Sequence, residues 1–259
     1  MRILVSGSWY SPLSSRSIYE PDYHSSIRLH AKSLYPQYQF VKFDALVESE
    51  FGNAKADFAL IDVEYRGWTV VEVELEHHPL SGHVVPQLRS LVNGRYTPRH
   101  SDAIWQECKD LDAVRLQTLV ESVPPDFLVI VPKELAEWRS ELNNLGVRLQ
   151  VVEVFTDQLG KTLLSCTGDN PRFWDSTFLS TLSYDRVLPR ALKVDIPSCL
   201  SPDVSEITAV YGDALTRWKV VRLSRAMYIT PRASLDIDAR LRVSLVRGID
   251  GNLHITNRE

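Results

Sequence analysis

The chain has 259 residues, of which 44% are hydrophobic and 24% are charged, and its formal net charge is -4. These values are ordinary for a globular protein, and the length allows one large domain or two smaller ones. Because the overall charge is slightly negative, it gives no general attraction to nucleic acid, and any such binding has to depend on local basic patches.

Cysteine usage and apolar runs predict the compartment. The three cysteines, Cys108, Cys166 and Cys199, form no C-x-x-C pair, which argues against a disulfide framework or a cysteine zinc site. No apolar run approaches the roughly 20 residues that span a bilayer, and the first apolar segment is too short for a signal peptide. We therefore expect a cytoplasmic protein that does not bind membranes.

Residues 1–168 carry alternating helix and strand patterns and predict an α/β domain. Its last part is strand, helix and strand with short connections, a βαβ unit that implies parallel pairing in a buried sheet. In chain order we predict a strand at 2–5, a helix at 23–34, strands at 40–47, 58–63 and 68–76, helices at 83–91 and 103–120, the βαβ unit at 126–131, 133–145 and 147–155, and an edge strand at 161–166.

The composition changes after Gly168. Residues 169–203 contain four prolines and predict a connecting segment with one helix at 173–182. Residues 204–259 predict a small β-rich, barrel-like module. Its predicted strands lie at 207–210, 218–223, 226–229, 241–246 and 253–255.

The predicted strand at 68–76 concentrates acidic residues. From Val71 onward apolar residues alternate with acids, so that Glu72, Glu74 and Glu76 share one face of the strand. Like charges at neighbouring positions on one face repel, and solvent, cationic side chains or a bound metal ion has to offset the repulsion.

The hairpin formed by the strands at 58–63 and 68–76 brings a further acid to this face. A four-residue turn at 64–67, with Gly67 at positive φ, places Asp57 opposite Glu74. A tighter turn moves it opposite Glu76 without changing the face, and Asp62 lies on the other face in both registers. Asp57, Glu72 and Glu74, with the carbonyl of Val73, then form an oxygen-rich site suited to Mg²⁺ or Mn²⁺.

This pattern resembles the active-site signature of the PD-(D/E)XK nuclease superfamily. The matching residues are Lys55-Ala56-Asp57-Phe58-Ala59-Leu60 followed by Val70-Val71-Glu72-Val73-Glu74, and the order of elements over 23–155 also fits. The resemblance implies a restriction-endonuclease-like mixed sheet flanked by helices and a metal-dependent nuclease acting on DNA more than on RNA. It implies that Gln87, and with it His78, orients water or phosphate.

The chain departs from the superfamily pattern at three points. Ala56 replaces the proline before the first acid, Glu74 replaces the usual lysine, and the auxiliary acid is undetermined between Glu48 and Glu50. The missing lysine keeps an alternative open, namely a catalytically degenerate nucleic-acid-binding or assembly subunit with the same fold.

Two groups of cations are candidates for contacts with nucleic acid. Arg89 and Arg95 follow the acidic strand, and the C-terminal module is rich in cations interleaved with Trp218 and Tyr228. Such a pattern suits phosphate and base-stacking contacts, although both aromatic residues can also belong to the core. A homodimer is a further expectation, because cutting both strands of a duplex needs two sites. The cations of the module are Arg217, Lys219, Arg222, Arg225, Arg232, Arg240, Arg242 and Arg247.

Three histidines near Glu74 raise the question of zinc. His77, His78 and His83 lie in no H-E-x-x-H pattern, and a strand end followed by Pro79 is a poor frame for a tetrahedral site. The sequence therefore favours surface positions or a supporting role beside the acids for these histidines.

Overall fold

The structure is a computed structural model that describes residues 2–14, 18–133, 135–185, 188, 190–212, 214–224, 226–233, 235, 237 and 243–257. It divides into two compact units, one made of Met1–Val63 and Trp68–Phe173 and the other of Glu64–Gly67 and Trp174–Glu259. The first unit is mixed α/β and the second is a closed β-barrel. The predicted α/β class with a β-rich C-terminal module is therefore confirmed.

The first unit combines ten strands and five α-helices among its described residues. The strands are β1 (Ile3–Val5), β2 (Ser8–Pro12), β3 (Tyr38–Lys42), β4 (Leu46–Ser49), β5 (Gly52–Lys55), β6 (Phe58–Asp62), β7 (Trp68–Val73), β8 (Asp126–Val131), β9 (Arg148–Thr156) and β10 (Thr162–Gly168). The helices are α1 (Glu20–Leu34), α2 (Val85–Val92), α3 (Pro98–Glu107), α4 (Ala113–Ser122) and α5 (Ala136–Asn144), and a π-helical turn, Leu80–Val84, leads into α2.

The large sheet is mixed in strand direction. Its strands follow the order β1-β2-β9-β8-β7-β6-β3, with β10 paired to β9, while β4 and β5 form a separate hairpin. The pair β8–β9 is parallel, as the βαβ pattern predicted, and β7–β8 is parallel as well. Strand β6 pairs antiparallel with both β3 and β7. Strand β7 therefore lies inside the sheet, with a bonded neighbour on each side.

Helix α1 covers one face of this sheet. Its buried residues Tyr23, Ile27 and Ala31 recur every four positions and pack against apolar side chains of β6, β7, β8 and β9. Pro21 lies in the first turn, where the helix needs no N–H donor, and the acidic residues Glu20 and Asp22 favour the helix N-terminus. Helix α1 thus begins at Glu20, earlier than the helix predicted at 23–34.

The register of the β6–β7 hairpin corrects our prediction. Ile61 pairs with Trp68 and Phe58 with Val71, so the loop is two residues longer than the predicted four-residue turn. Positive φ occurs at Tyr65 (58°) and not at Gly67. The next position in this register places Asp57 beside Glu72 and not opposite Glu74. The face is unchanged, because a shift of two residues keeps the side-chain direction.

Two other elements also differ from their predicted form. The helix predicted at 103–120 is two helices, because the Asp112 carboxylate accepts hydrogen bonds from the N–H groups of Val114 and Arg115, both at 2.9 Å, and starts α4. The strand predicted at 40–47 is divided between β3 and β4, and the hairpin of β4 and β5 was not predicted.

The barrel of the second unit begins earlier than predicted. Its order is β11-β12-β15-β14-β13-β17-β16. The helix predicted at 173–182 is wrong: residues 176–182 belong to β11 and pair with β16. Barrel strands therefore start within the predicted connection 169–203. The strands are β11 (Ser176–Tyr184), β12 (Leu192–Val194), β13 (Glu206–Tyr211), β14 (Ala214–Leu223), β15 (Ala226–Pro231), β16 (Val243–Gly248) and β17 (Leu253–Asn257).

The five predicted strands of the C-terminal module correspond to β13 through β17. Residues 241 and 242, which we placed in the fourth of these, lie outside the described residues. In the part of the chain that the structure describes, no helix is long and apolar enough to cross a membrane.

The packing of the core beneath α1 can be tested by substitution. Leu128 in the middle of β8 is fully buried in the cluster that α1 covers, whereas Leu29 on the outer face of α1 is 77% exposed. We expect Leu128→Ala to lower the free energy of unfolding by about 2 to 5 kcal/mol, the usual cost of a buried leucine. Leu29→Ala should change it by less than about 0.5 kcal/mol. Urea unfolding of both variants checks this, and equal effects would contradict the described packing.

Candidate active site

The three predicted acids meet at one end of strands β6 and β7. Asp57 directly precedes β6, and its Oδ2 accepts a hydrogen bond from the Val73 N–H at 2.9 Å. Glu72 and Glu74, in and just after β7, are 2% and 4% exposed. The structure therefore brings these carboxylates together on one face, and Asp62 is buried on the face that α1 covers, as the alternation implies.

Glu72 is the most deeply buried acid of the site. Its Oε2 accepts a hydrogen bond from Gln87 Nε2 at 2.8 Å, and the same amide donates to the carbonyl of Lys55 at 3.1 Å. Its Oε1 is buried and has no hydrogen-bond partner among the described residues. Burial, and then the charges of Asp57 and Glu74, raise the pKa of Glu72 well above its ordinary value.

A histidine from α1 faces the carbonyl that we predicted as a metal ligand. His24 Nε2 lies 3.1 Å from the Val73 oxygen, 3.8 Å from Asp57 Oδ2 and 3.6 Å from Glu20 Oε1. Because a carbonyl can only accept, Nε2 carries the hydrogen in this contact. Three oxygens, from Val73, Asp57 and Glu20, thus surround one N–H group.

Glu74 has a different environment from Glu72. Its Oε2 is hydrogen-bonded to His78 Nδ1, and one ligand atom each of Glu74, His78 and His83 lies within 4.8 Å of the others. Burial raises the pKa of Glu74, and the two histidines partly offset the shift. The Nε2 of His78 is 3.6 Å from Glu20 Oε2. The sequence had favoured surface or supporting positions for these histidines.

Glu20 and His24 are the site residues that sequence reasoning missed. They lie four residues apart at the start of α1, and only His24 falls within the helix that we predicted at 23–34. An acid and a histidine at that spacing next to a helix-starting proline was the available signal, but their meeting with Asp57 depends on how α1 crosses the sheet.

Neither predicted auxiliary acid contacts the cluster through a described bond. Glu48 is exposed and binds Arg99 Nη2 at 3.0 Å, and Glu50 is exposed in the turn between β4 and β5. Glu76, which shared the predicted acidic face, lies 3.8 Å from Lys133 Nζ. Glu20 lies near Asp57, because His24 Nε2 faces both carboxylates.

A groove of about 470 Å³ opens next to Asp57 and is lined by exposed cations. Arg28, Lys42 and Lys55 line it together with His24. Asp44 at its edge pairs with Lys55 at 2.9 Å and with Lys42 at 3.5 Å. A polyanion that followed this groove would pass the carboxylate cluster.

The predicted cations of the first unit lie elsewhere. Arg89 is exposed two residues after Gln87, which corresponds to about 200° around a helix, so it points away from Glu72. Arg95 is exposed and its backbone N–H bonds to the Glu48 carbonyl at 3.1 Å. Neither arginine faces the acids.

The barrel cations differ in whether other groups of the protein already bind them. Arg222 donates to the carbonyls of Val204 at 2.5 Å and Ser201 at 2.6 Å, so it stabilises a loop of the barrel. Arg217 lies 4.0 Å from Glu206, and Lys219 is exposed. Trp218 is fully buried in the barrel core, which is one of the two roles that the sequence left open for it. Of the other predicted cations, Arg225, Arg240 and Arg242 lie outside the described residues.

The fold and the site together define a mixed α/β protein with a buried carboxylate cluster at the end of its central strands. Carboxylates, backbone carbonyls and imidazoles are groups that can hold divalent cations. No protein-family model, curated protein or solved structure matches this chain.

The buried charge of Glu72 has a measurable effect on stability. Its pKa is higher in the folded than in the unfolded chain, so the metal-free protein loses stability as pH rises from the ordinary carboxyl value through the raised one. We expect Glu72→Gln to stabilise the metal-free protein near neutral pH by about 1 to 3 kcal/mol, the cost of an unsatisfied buried polar group.

The gain should fade at acid pH, where both side chains are neutral. Thermal unfolding across a pH series measures it, with Glu50→Gln as the control because that carboxylate is exposed. A variant that is equally stabilised at every pH, or not at all, would contradict the buried charge.

Proposed function

We propose that the chain is a metal-dependent nuclease of the PD-(D/E)XK type that hydrolyses phosphodiester bonds, in DNA in preference to RNA. The observation that carries the proposal is the buried Oε1 of Glu72, which has no hydrogen-bond donor among the described residues and lies next to Asp57, whose charge raises the pKa of Glu72. A buried ionised carboxylate is costly unless a cation balances it. Buried ionisable groups with strongly shifted pKa values occur often at functional sites.

The donor set fits Mg²⁺ or Mn²⁺. The residues that would hold the ion are Asp57, Glu72 and the Val73 carbonyl, with Glu74 adjacent, and all supply the oxygen atoms that hard cations prefer. Bound there, such an ion neutralises charge on a phosphodiester and lowers the pKa of a water molecule.

The surrounding residues hold these oxygens in place. Gln87 fixes one oxygen of Glu72 and leaves the other free, and the Val73 N–H fixes Asp57. His24 is within reach of the Val73 carbonyl and Asp57, where it can donate a proton or a hydrogen bond to a phosphate oxygen. Glu74, where a lysine is usual, can accept a proton from water because His78 and His83 stabilise its ionised form.

The fold supports the same proposal. Helix α1, the antiparallel strands β3, β6 and β7, and then parallel β8 follow in the order that the restriction-endonuclease-like fold implies. The groove with Arg28, Lys42 and Lys55 gives a phosphate backbone a path to Asp57. The homodimer suggested by two-strand cleavage stays a prediction.

The cleavage test targets the two acids that lie side by side. Asp57→Asn can still accept the Val73 N–H bond, and Glu72→Gln can still accept from Gln87, yet each removes a charge that a cation needs. We expect both variants to lose cleavage of DNA with Mg²⁺ or Mn²⁺. Gln87→Ala should reduce it about 10- to 100-fold, as for the partner of a ligand, and Glu50→Gln should cleave like the wild type.

Duplex, single-stranded and branched substrates have to be assayed together. A wild-type protein inert on all of them would overturn the nuclease proposal and favour the degenerate nucleic-acid-binding or assembly subunit. Calorimetry with Mn²⁺ then separates a degenerate site, which does not bind the ion, from an intact one.

The groove is tested by binding in the Glu72→Gln background, where cleavage is absent. We expect Arg28→Ala with Lys42→Ala to weaken DNA binding and to reduce the slope of log K against log salt by about 1 for each lost phosphate contact. Lys32→Ala is the matched control, because Lys32 is exposed one helical turn after Arg28 and does not line the groove.

The barrel is compared in the same assay. An unchanged slope in the groove variant, with a reduced slope in Arg217→Ala with Lys219→Ala, would transfer nucleic-acid binding to the barrel and contradict the groove.

A further inference from the structure

The chain that follows β7 carries two imidazoles back to Glu74. His78 lies in the turn after the strand and His83 in the π-helical turn before α2. Backbone bonds hold each residue in place: Glu74 N–H to the Ile130 carbonyl at 2.9 Å, His78 N–H to the Leu75 carbonyl at 3.0 Å and His83 N–H to the Pro79 carbonyl at 2.9 Å. These backbone hydrogen bonds fix the turn around Pro79, which the sequence had indicated to be a poor frame for a metal site.

The π-helical turn determines where His83 lies. The Pro79 carbonyl accepts from His83 N–H and also, at 3.3 Å, from Val84 N–H, five residues along. Such turns insert one extra residue into a helical path and occur often at functional sites. Here the widened turn presents the His83 imidazole to Glu74 and His78, with the two histidine rings 5.7 Å apart.

The orientation of His78 is an independent sign of a ligand. One ring nitrogen contacts Glu74, while the other faces Glu20 Oε2 at 3.6 Å. A histidine that binds a metal through one nitrogen commonly directs the other toward a carboxylate, which sets its tautomer and orientation. Glu20 is placed to give His78 that support.

We propose that Glu74, His78 and His83 form a second cation site, specific for a transition metal such as Zn²⁺. Two imidazoles and one carboxylate suit borderline ions, whereas Mg²⁺ prefers an all-oxygen environment. Three protein ligands leave a fourth position open, which is the arrangement of catalytic and not of structural zinc sites. Glu74 itself is 4% exposed, so a cation there would balance a buried charge.

The second site is distinct from the oxygen-rich site in its other ligands. Glu72 accepts a hydrogen bond from Gln87, and Asp57 accepts one from the Val73 N–H. Neither carboxylate contacts His78 or His83 through a described bond. The zinc proposal therefore does not depend on nuclease activity, although Glu74 connects the two sites.

Titration of the full-length, metal-free Glu72→Gln protein with Co²⁺ tests the proposal, because this background removes a charge that the oxygen-rich site needs and leaves Glu74, His78 and His83 unchanged. We expect a single equivalent of Co²⁺ to bind with the intense visible absorption of a low-coordinate site, and Zn²⁺ to displace it while Mg²⁺ does not. His78→Ala and His83→Ala should each weaken binding more than the about 10- to 100-fold typical of losing a supporting partner.

His77→Ala is the control, because His77 is exposed in the same turn and has no part in the cluster. It should bind Co²⁺ like its parent. His83 is also exposed, so its variant should fold, which circular dichroism verifies. Equal Co²⁺ affinity in the parent and both histidine variants, or displacement by Mg²⁺, would overturn the second site. DNA cleavage by the wild type is a separate readout, so either proposal can fail alone.

Discussion

The central constraint of the structure is the burial of like charges at the end of one strand. Glu72 and Glu74 are almost completely enclosed, and Asp57 lies beside them across the hairpin. Each carboxylate loses hydration that its described partners only partly replace, which is why burial is the largest influence on all three pKa values. The surrounding elements are best understood by how they support this cluster.

The fold supplies that support from both faces of the sheet. Because β7 is hydrogen-bonded to β6 and β8, its backbone cannot move to relieve the repulsion. Helix α1 brings Glu20 and His24 to the edge of the cluster on one side. Helix α2 and the π-helical turn before it bring Gln87 and His83 to the other. Elements distant in the chain thus share one site, and their packing positions its polar atoms.

The alternation of β7 was enough to predict which acids share a face. That prediction is confirmed even though the predicted hairpin register was wrong. The loop was two residues longer than expected, but side chains in a strand repeat with a period of two, so Asp57 stayed with Glu72 and Asp62 stayed apart. Gln87 could be placed because the element order resembled a known pattern. Local patterns of this kind are visible in sequence.

Contacts that depend on tertiary packing were beyond prediction. Glu20 and His24 precede Asp57 by more than thirty residues, and only the crossing of α1 over the sheet joins them. The segment at 173–182 has an ambiguous apolar pattern, and its pairing with β16, far along the chain, makes it a strand. The sequence alone could not decide whether Trp218 is exposed for stacking or buried, because its burial depends on closure of the barrel.

The described partners of the clustered carboxylates carry no fixed positive charge. In the described part of the chain, Glu20, Asp57, Glu72 and Glu74 contact imidazoles, an amide and a backbone N–H group. A lysine in the place of Glu74 would hold a permanent charge against its neighbours. Imidazole instead exchanges its proton in the physiological range and binds metal ions when neutral. In the proposed second site, a carboxylate at this position next to His78 and His83 supplies a metal ligand where a lysine would supply only a fixed positive charge.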